Sequence, residues 1–250
     1  MLFIGVDLGW TSQPTGLCCL RSHATPDHLE LHLDELTRLA RPESVLTWID
    51  AKLSPAEMGG IAVDAPTLIP NETGMRECDR LAHRYFGRYH AGCYPANLGL
   101  PFAQRTVGFG TALEHRGFRH APTLQPQQPT RFQIEVFPHP ATIRLFRLER
   151  ILKYKKGRVS DRHLALSTFR QYILESLPAA HPPLIIQADD LPAIPTTGVA
   201  MKAVEDQLDS LICAYVAAHW WYWGQERNQV LGDKETGYII VPNPDGIPLE

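Results

Sequence analysis

Two strand-like apolar runs of this chain each carry an aspartate where a core residue is expected. They are Leu2-Phe3-Ile4-Gly5-Val6-Asp7 and Gly60-Ile61-Ala62-Val63-Asp64-Ala65-Pro66. Runs of this kind read as buried strands. An ionised carboxylate at the end of a buried strand is costly unless a partner offsets its desolvation. A bound cation is the simplest such partner. A third acidic pair, Asp206 and Asp209, starts an otherwise apolar helix. The three together predict a metal site at one end of a sheet.

The rest of the pattern predicts how that sheet is built. Residues 2–8, 16–20 and 28–33 read as three strands, separated by turns at Gln13-Pro14 and Thr25-Pro26-Asp27. Short turns between them predict an antiparallel meander. Pro42 marks a helix start, with Val45, Leu46, Ile49 and Leu53 at helical spacing. A fourth strand, 61–64, then follows a crossover and is expected to pair in parallel with an earlier one. Residues 66–130 are broken by prolines and read as an insertion of long loops with helices at 75–86 and 106–116. A fifth strand at 132–137 and helices at 140–152, 161–177 and 199–223 complete the pattern. Tyr238–Val241 reads as a late edge strand.

The fold class expected is therefore α/β. It has a mixed five-stranded sheet, an antiparallel meander of three strands and then parallel strands, flanked by helices. At 250 residues the chain fits one domain, taken as 1–248. Leu249-Glu250 reads as a cloning remnant.

Composition removes several classes of function. A net charge of −3 argues against a whole-surface binder of nucleic acid. Five cysteines without a CxxC point to a reducing, cytoplasmic setting without a disulfide framework. Cys78, His83, His90 and Cys93 match no common zinc spacing. The apolar stretch Leu211 to Trp223 is too short to span a bilayer, so no membrane partner is expected.

Five carboxylates form the candidate metal set: Asp7, Asp64, Glu135, Asp206 and Asp209. Asp7 and Asp64 emerge at the same sheet end if their strands are parallel neighbours. Asp206 and Asp209 are three apart and share a helix face. That face continues through Ser210, Cys213 and Ala217, small enough for close approach to the sheet. Mg²⁺ and Mn²⁺ take such oxygen donors. Two ions roughly 3.5–4 Å apart activate water and stabilise the leaving oxygen of a phosphodiester. Each residue has a structural alternative: a turn at Asp7, an Asx turn at Asp64, an arginine partner for Glu135, a first-turn charge at Asp206.

Basic residues gather in two places. Residues 144–162 hold eight positive and two negative side chains, a local excess of six. Lys155 and Lys156 are the phosphate contacts expected there, with a solvated helix face as the alternative. Arg76, Arg80, Arg84 and Arg88 form one helical stripe; Arg76 is the member assigned to substrate, with ion pairs as the alternative for the stripe.

These segments carry a family resemblance. The string Glu205 to Ala214 resembles the closing helix of RuvC-type resolvases of the ribonuclease H-like superfamily. More closely, the chain resembles the domain of unknown function 429 family, whose members are predicted nucleases. The carrying segments are Ile4–Asp7, Val63–Pro66, Arg76–Asp79, Ile134–Pro140, Tyr154–Lys156 and Asp206–Ser210. The resemblance implies catalytic roles for Asp7, Asp64 and Asp209, with Glu135 and Asp206 completing a Mg²⁺ or Mn²⁺ site for two ions. It implies a nucleic-acid substrate, DNA or RNA. Two alternatives stay open from the residues themselves. Asp7-Leu8-Gly9-Trp10-Thr11 fits locally the phosphate turn of actin-like ATPases and sugar kinases. A non-catalytic binding or scaffold protein on the same fold is the other.

Overall fold

The first three strands, β1 (Leu2–Asp7), β2 (Thr15–Ala24) and β3 (Leu29–Leu39), form the expected meander, β1 against β2 and β2 against β3, both antiparallel. In this computed structural model residues 1–9, 13–24 and 29–247 are described. Trp10-Thr11, the Thr25-Pro26-Asp27 turn, His28 and Leu249-Glu250 lie outside the described residues. The third strand runs six residues beyond its expected end at Leu33. Its distal half is polar, and Lys52 holds it by ion pairs to Asp34 and Glu35 at 2.7 and 2.8 Å. Alternating hydrophobicity alone does not register such a strand.

Helix α1 (Pro42–Lys52) has proline in its first turn, where a missing N–H costs nothing. It leads to β4 (Gly59–Val63), which pairs in parallel with β1, Val6 beside Val63. Helices α2 (Glu77–Phe86) and α3 (Ala103–Glu114) and strand β5 (Arg119–His120) occupy the proline-broken stretch. Then come β6 (Arg131–Glu135), α4 (Pro138–Phe146), α5 (Val159–Ser176), β7 (Leu184–Ile185) and α6 (Gly198–Trp223). A hairpin of β8 (Asn228–Asp233) and β9 (Gly237–Pro242) follows.

The main sheet runs β5-β6-β4-β1-β2-β3-β7. The five expected strands are its middle. The other two have two residues each, too short to leave a readable period. Tyr238–Val241 is not an edge of this sheet. It lies in β9, pairs with β8, and meets the main sheet through a bridge between Ile240 and Val136.

One helix expected to reach Leu152 stops at Phe146. Arg147 takes a left-handed conformation, φ 52°, and ends it. The residues that follow have ordinary helix formers, but Tyr154 is drawn into the core and is 1% exposed. Burial of an aromatic ring outweighs a helical propensity worth tenths of a kcal/mol per residue.

Helix α6 is the central element of one layer. Most of its residues from Val204 onward are buried. It lies against β1 and β2 because glycine stands where its backbone passes. A Cβ on Gly5 would overlap the Ser210 carbonyl, and one on Gly16 would overlap that of Asp206. Phe3, Leu20 and Ile134 pack on this side, with Leu208 and Ile212. On the other side Ile4, Val6 and Val63 pack with Val45 and Ile49 of α1 and Phe109 and Leu113 of α3. Among the described residues no helix is long and apolar enough to cross a membrane.

Candidate active site

Parallel pairing of β1 and β4 decides where two of the carboxylates go. The Asp64 N–H donates to the Val6 carbonyl at 2.8 Å, which extends the ladder one step and sets Asp64 beside Asp7. Both follow strand positions that alternate toward α6. Asp209, wholly buried on α6, comes down over them. The three acids come from the end of β1, the residue after β4 and helix α6.

The fourth member of the cluster is Lys155. Its ammonium nitrogen lies 2.8 Å from Asp209 Oδ2. That contact lacks hydrogen-bond alignment, and Oδ2 is a buried acceptor without a hydrogen bond. The Tyr154 hydroxyl donates to Asp209 Oδ1 at 2.7 Å. Burial works against the Lys155 ammonium, yet Asp209, Asp7 and Asp64 outweigh it and hold its pKa well above the usual lysine value. Burial pushes the Asp7 carboxyl well above the usual range, and Asp209 and Asp64 add to this against the pull of Lys155. Burial likewise lifts Asp64 to about 7. With every group ionised, three carboxylates and one ammonium leave a charge of −2.

Glu135 and Asp206 stand apart from this cluster. Glu135 pairs across the sheet with Val63 rather than with Asp64, one step back from the strand end. There Arg76 grips both its oxygens, at 2.6 and 2.7 Å. Arg76 also bonds Asp79 through Nε and a terminal nitrogen, and the Leu68 carbonyl. All five guanidinium donors are thereby used, and the side chain is buried. Arg76 is therefore a fastener between the β6 end and α2, with no donor left for a substrate. Asp206 is held by Arg38 and Lys202, each at 2.7 Å.

The basic run also divides. Arg144 and Arg147 bind Asn243 and Asp245 after β9. Arg162 donates to the Tyr154 carbonyl at 3.0 Å and stiffens the loop that carries Lys155. Lys156 is exposed.

Sequence reading assigned no role to two further residues at this site, Tyr154 and His139. The His139 ring stands 5.6 Å from that of Tyr154. Its Nδ1 is buried and without a hydrogen-bond partner. Burial, with Lys155 nearby, lowers its pKa to about 4, so the imidazole is neutral at pH 7. Both residues lie in segments that carry the family resemblance, Pro138-His139-Pro140 and Tyr154-Lys155-Lys156. That placement was the one signal available.

The donor set suits a hard divalent cation: carboxylate oxygens, one of them orphaned, with a net charge that one such ion would neutralise. As the side chains stand, no three acidic, imidazole or thiol groups among the described residues are close enough to hold a metal. The cation these carboxylates face is the Lys155 ammonium.

The sheet order β3-β2-β1-β4-β6, antiparallel through the meander and parallel beyond it, with a helix closing over the ends of β1 and β4, defines a ribonuclease H-like protein. The chain belongs to the family described as "Protein of unknown function (DUF429)", whose model matches residues 5–236. No curated protein matches it. Two solved structures are similar in outline. Thermus thermophilus RuvC shares 11% identity at a TM-score of 0.31, over 85% of this chain and 94% of its own. T. thermophilus RuvC in complex with Holliday junction substrate shares 12% at 0.33, over 87% of this chain and 98% of its own. Likenesses this distant bear no weight for the chemistry.

Proposed function

We propose that this chain is a metal-dependent nuclease that hydrolyses phosphodiester bonds, with Asp7, Asp64 and Asp209 as its metal-holding carboxylates. One observation carries the reading. Three carboxylates from separate elements are packed together, answered by a single half-buried lysine paired with Asp209. A fold has little reason to confine such repulsion unless a stronger cation belongs there. Mg²⁺ or Mn²⁺ would be held after the Lys155 ammonium swings aside, toward the solvent its neighbour Lys156 already meets. A second ion would draw Glu135 from Arg76 or Asp206 from Arg38 and Lys202. When bound, the cation supplies Lewis acidity toward a phosphate oxygen and the attacking water.

The chain's own residues have separate tasks. Tyr154 fixes the Asp209 carboxylate through its hydroxyl. Arg76 anchors the β6 end, so that the adjoining strand end with Asp64 is rigid. Lys155, once released from Asp209, offers an ammonium to the developing charge on the phosphate. Lys156 attracts the next phosphate along a DNA or RNA strand.

The test is cleavage of fluorescent DNA and RNA oligonucleotides by purified protein in Mn²⁺, with and without chelator. Activity is expected in Mn²⁺, abolished by EDTA, and reduced at least a hundredfold in Asp7→Asn and Asp64→Asn proteins of unchanged circular dichroism. Undiminished, chelator-insensitive cleavage by both variants would sink the reading.

A further inference from the structure

A cleft opens from the acidic cluster toward solvent, and its walls are apolar. Its inner part, about 100 Å³, is bordered by Asp64 and Glu135 at one end and by Tyr94, Pro95 and Phe102 at the other. The outer part, about 870 Å³, shares those three residues and adds Lys156 at its rim. The two adjoin at these three shared residues. Together they have the dimensions of a small-molecule or nucleotide site rather than of a broad protein interface.

Tyr94 is the unusual wall. It is 79% exposed, the second most exposed large hydrophobic residue among those described. A single exposed aromatic ring is ordinary on a surface; Tyr94 stands out because it lines both cavities, the larger of which Lys156 also lines. Lys156 lines the larger cavity, and the Asp64 and Glu135 carboxylates line the smaller one. An apolar peptide side chain would have to desolvate those carboxylates and would leave the lysine unanswered. A nucleotide presents a flat apolar face to Tyr94 and an anionic phosphate to Lys156.

We propose that this cleft seats one unpaired nucleotide of a single strand, its base stacked on Tyr94 and its phosphate paired with Lys156. The assignment rests on the phosphodiesterase reading for the direction of the strand, which passes from the cleft across Asp64 to the carboxylate cluster. Stacking on an aromatic side chain is sequence-tolerant, because every base has a π-face. A base paired in a duplex has no face free to enter. The site therefore favours unpaired over paired nucleic acid.

The experiment is fluorescence anisotropy of a labelled oligothymidylate in Ca²⁺, with strand integrity checked on a gel. Tyr94→Ala is expected to weaken binding on the order of tenfold, and Tyr94→Phe to restore it to within about twofold. A strand of the same length made wholly of abasic sugar phosphates is expected to bind wild type as weakly as the thymidylate binds Tyr94→Ala. Lys156→Gln is expected to weaken binding and to reduce the salt dependence by about 0.7 in log–log slope, one phosphate's share. Equal affinity of Tyr94→Ala and wild type overturns the proposal. So does equal affinity for duplex and single strand, or competition by free thymidine monophosphate as strong as by the strand. Binding is read without turnover, so the two readings can fail separately. Tyr94-dependent binding without cleavage in Mn²⁺ would refute the nuclease and keep the cleft, while cleavage with Tyr94-independent binding would do the reverse.

Discussion

At the scale of single residues, Asp64 shows how a fold can hold a charge against its own stability. Its carboxyl titrates at about 7 in the folded chain against an ordinary 3.8. Between those values the folded chain keeps a proton that the unfolded chain has released. Stability therefore falls as pH rises, and the loss is complete above pH 7. Asp64→Asn removes the titration. In EDTA at pH 8 it is expected to stabilise the protein by about 1–3 kcal/mol, several degrees in Tm, with the gain gone at pH 4. Identical melting of both proteins at pH 8 would end this account. The aspartates were legible in the sequence because a carboxylate interrupts an apolar run visibly. Lys155 was not, as the central ammonium. A lysine inside a basic run looks like surface, and only the loop's path shows that it faces inward. For Arg76 the ion-pair alternative holds rather than the substrate role: Glu135 and Asp79, with the Leu68 carbonyl, use up its donors.

At the scale of elements, the contact between α6 and the first two strands is made by what is missing. At Gly5 the neighbour is backbone, the Ser210 carbonyl, which cannot rotate away. Gly5→Ala is expected to destabilise the fold by about 3 kcal/mol or more, read as a lower urea midpoint. Gly108, inside α3 with nothing near its absent side chain, supplies the contrast. Gly108→Ala is expected to be neutral or to stabilise by up to about 1 kcal/mol. Equal effects at the two positions would show that close approach is not what Gly5 provides. The strands and helices with strong periods were legible to within a few residues, α6 above all. Two-residue β5 and β7 were not, since no period fits in two residues. The end of α4 was hidden because its cause, the burial of Tyr154, lies eight residues further on.

At the scale of the whole molecule, the last long helix covers what the first strands expose. Phe3, Leu20 and Ile134 have their partners on α6. A chain ending at residue 197 would leave that sheet face bare and is expected to show no cooperative transition in urea and no near-ultraviolet dichroism. A sharp transition would mean that α6 is an accessory layer. The meander and its parallel extension were predictable from strand order. The hairpin of β8 and β9 was not, because Tyr238–Val241 is apolar in a way that fits an edge strand equally well. The late arrival of α6 also gives the molecule a timetable. A ribosome delivers Asp7 and Asp64 well before Asp209. Until then the two strand-end aspartates have no third member beside them. The nascent polypeptide thus emerges next to messenger and ribosomal RNA with its acidic centre still in pieces, assembled only when α6 folds onto the sheet.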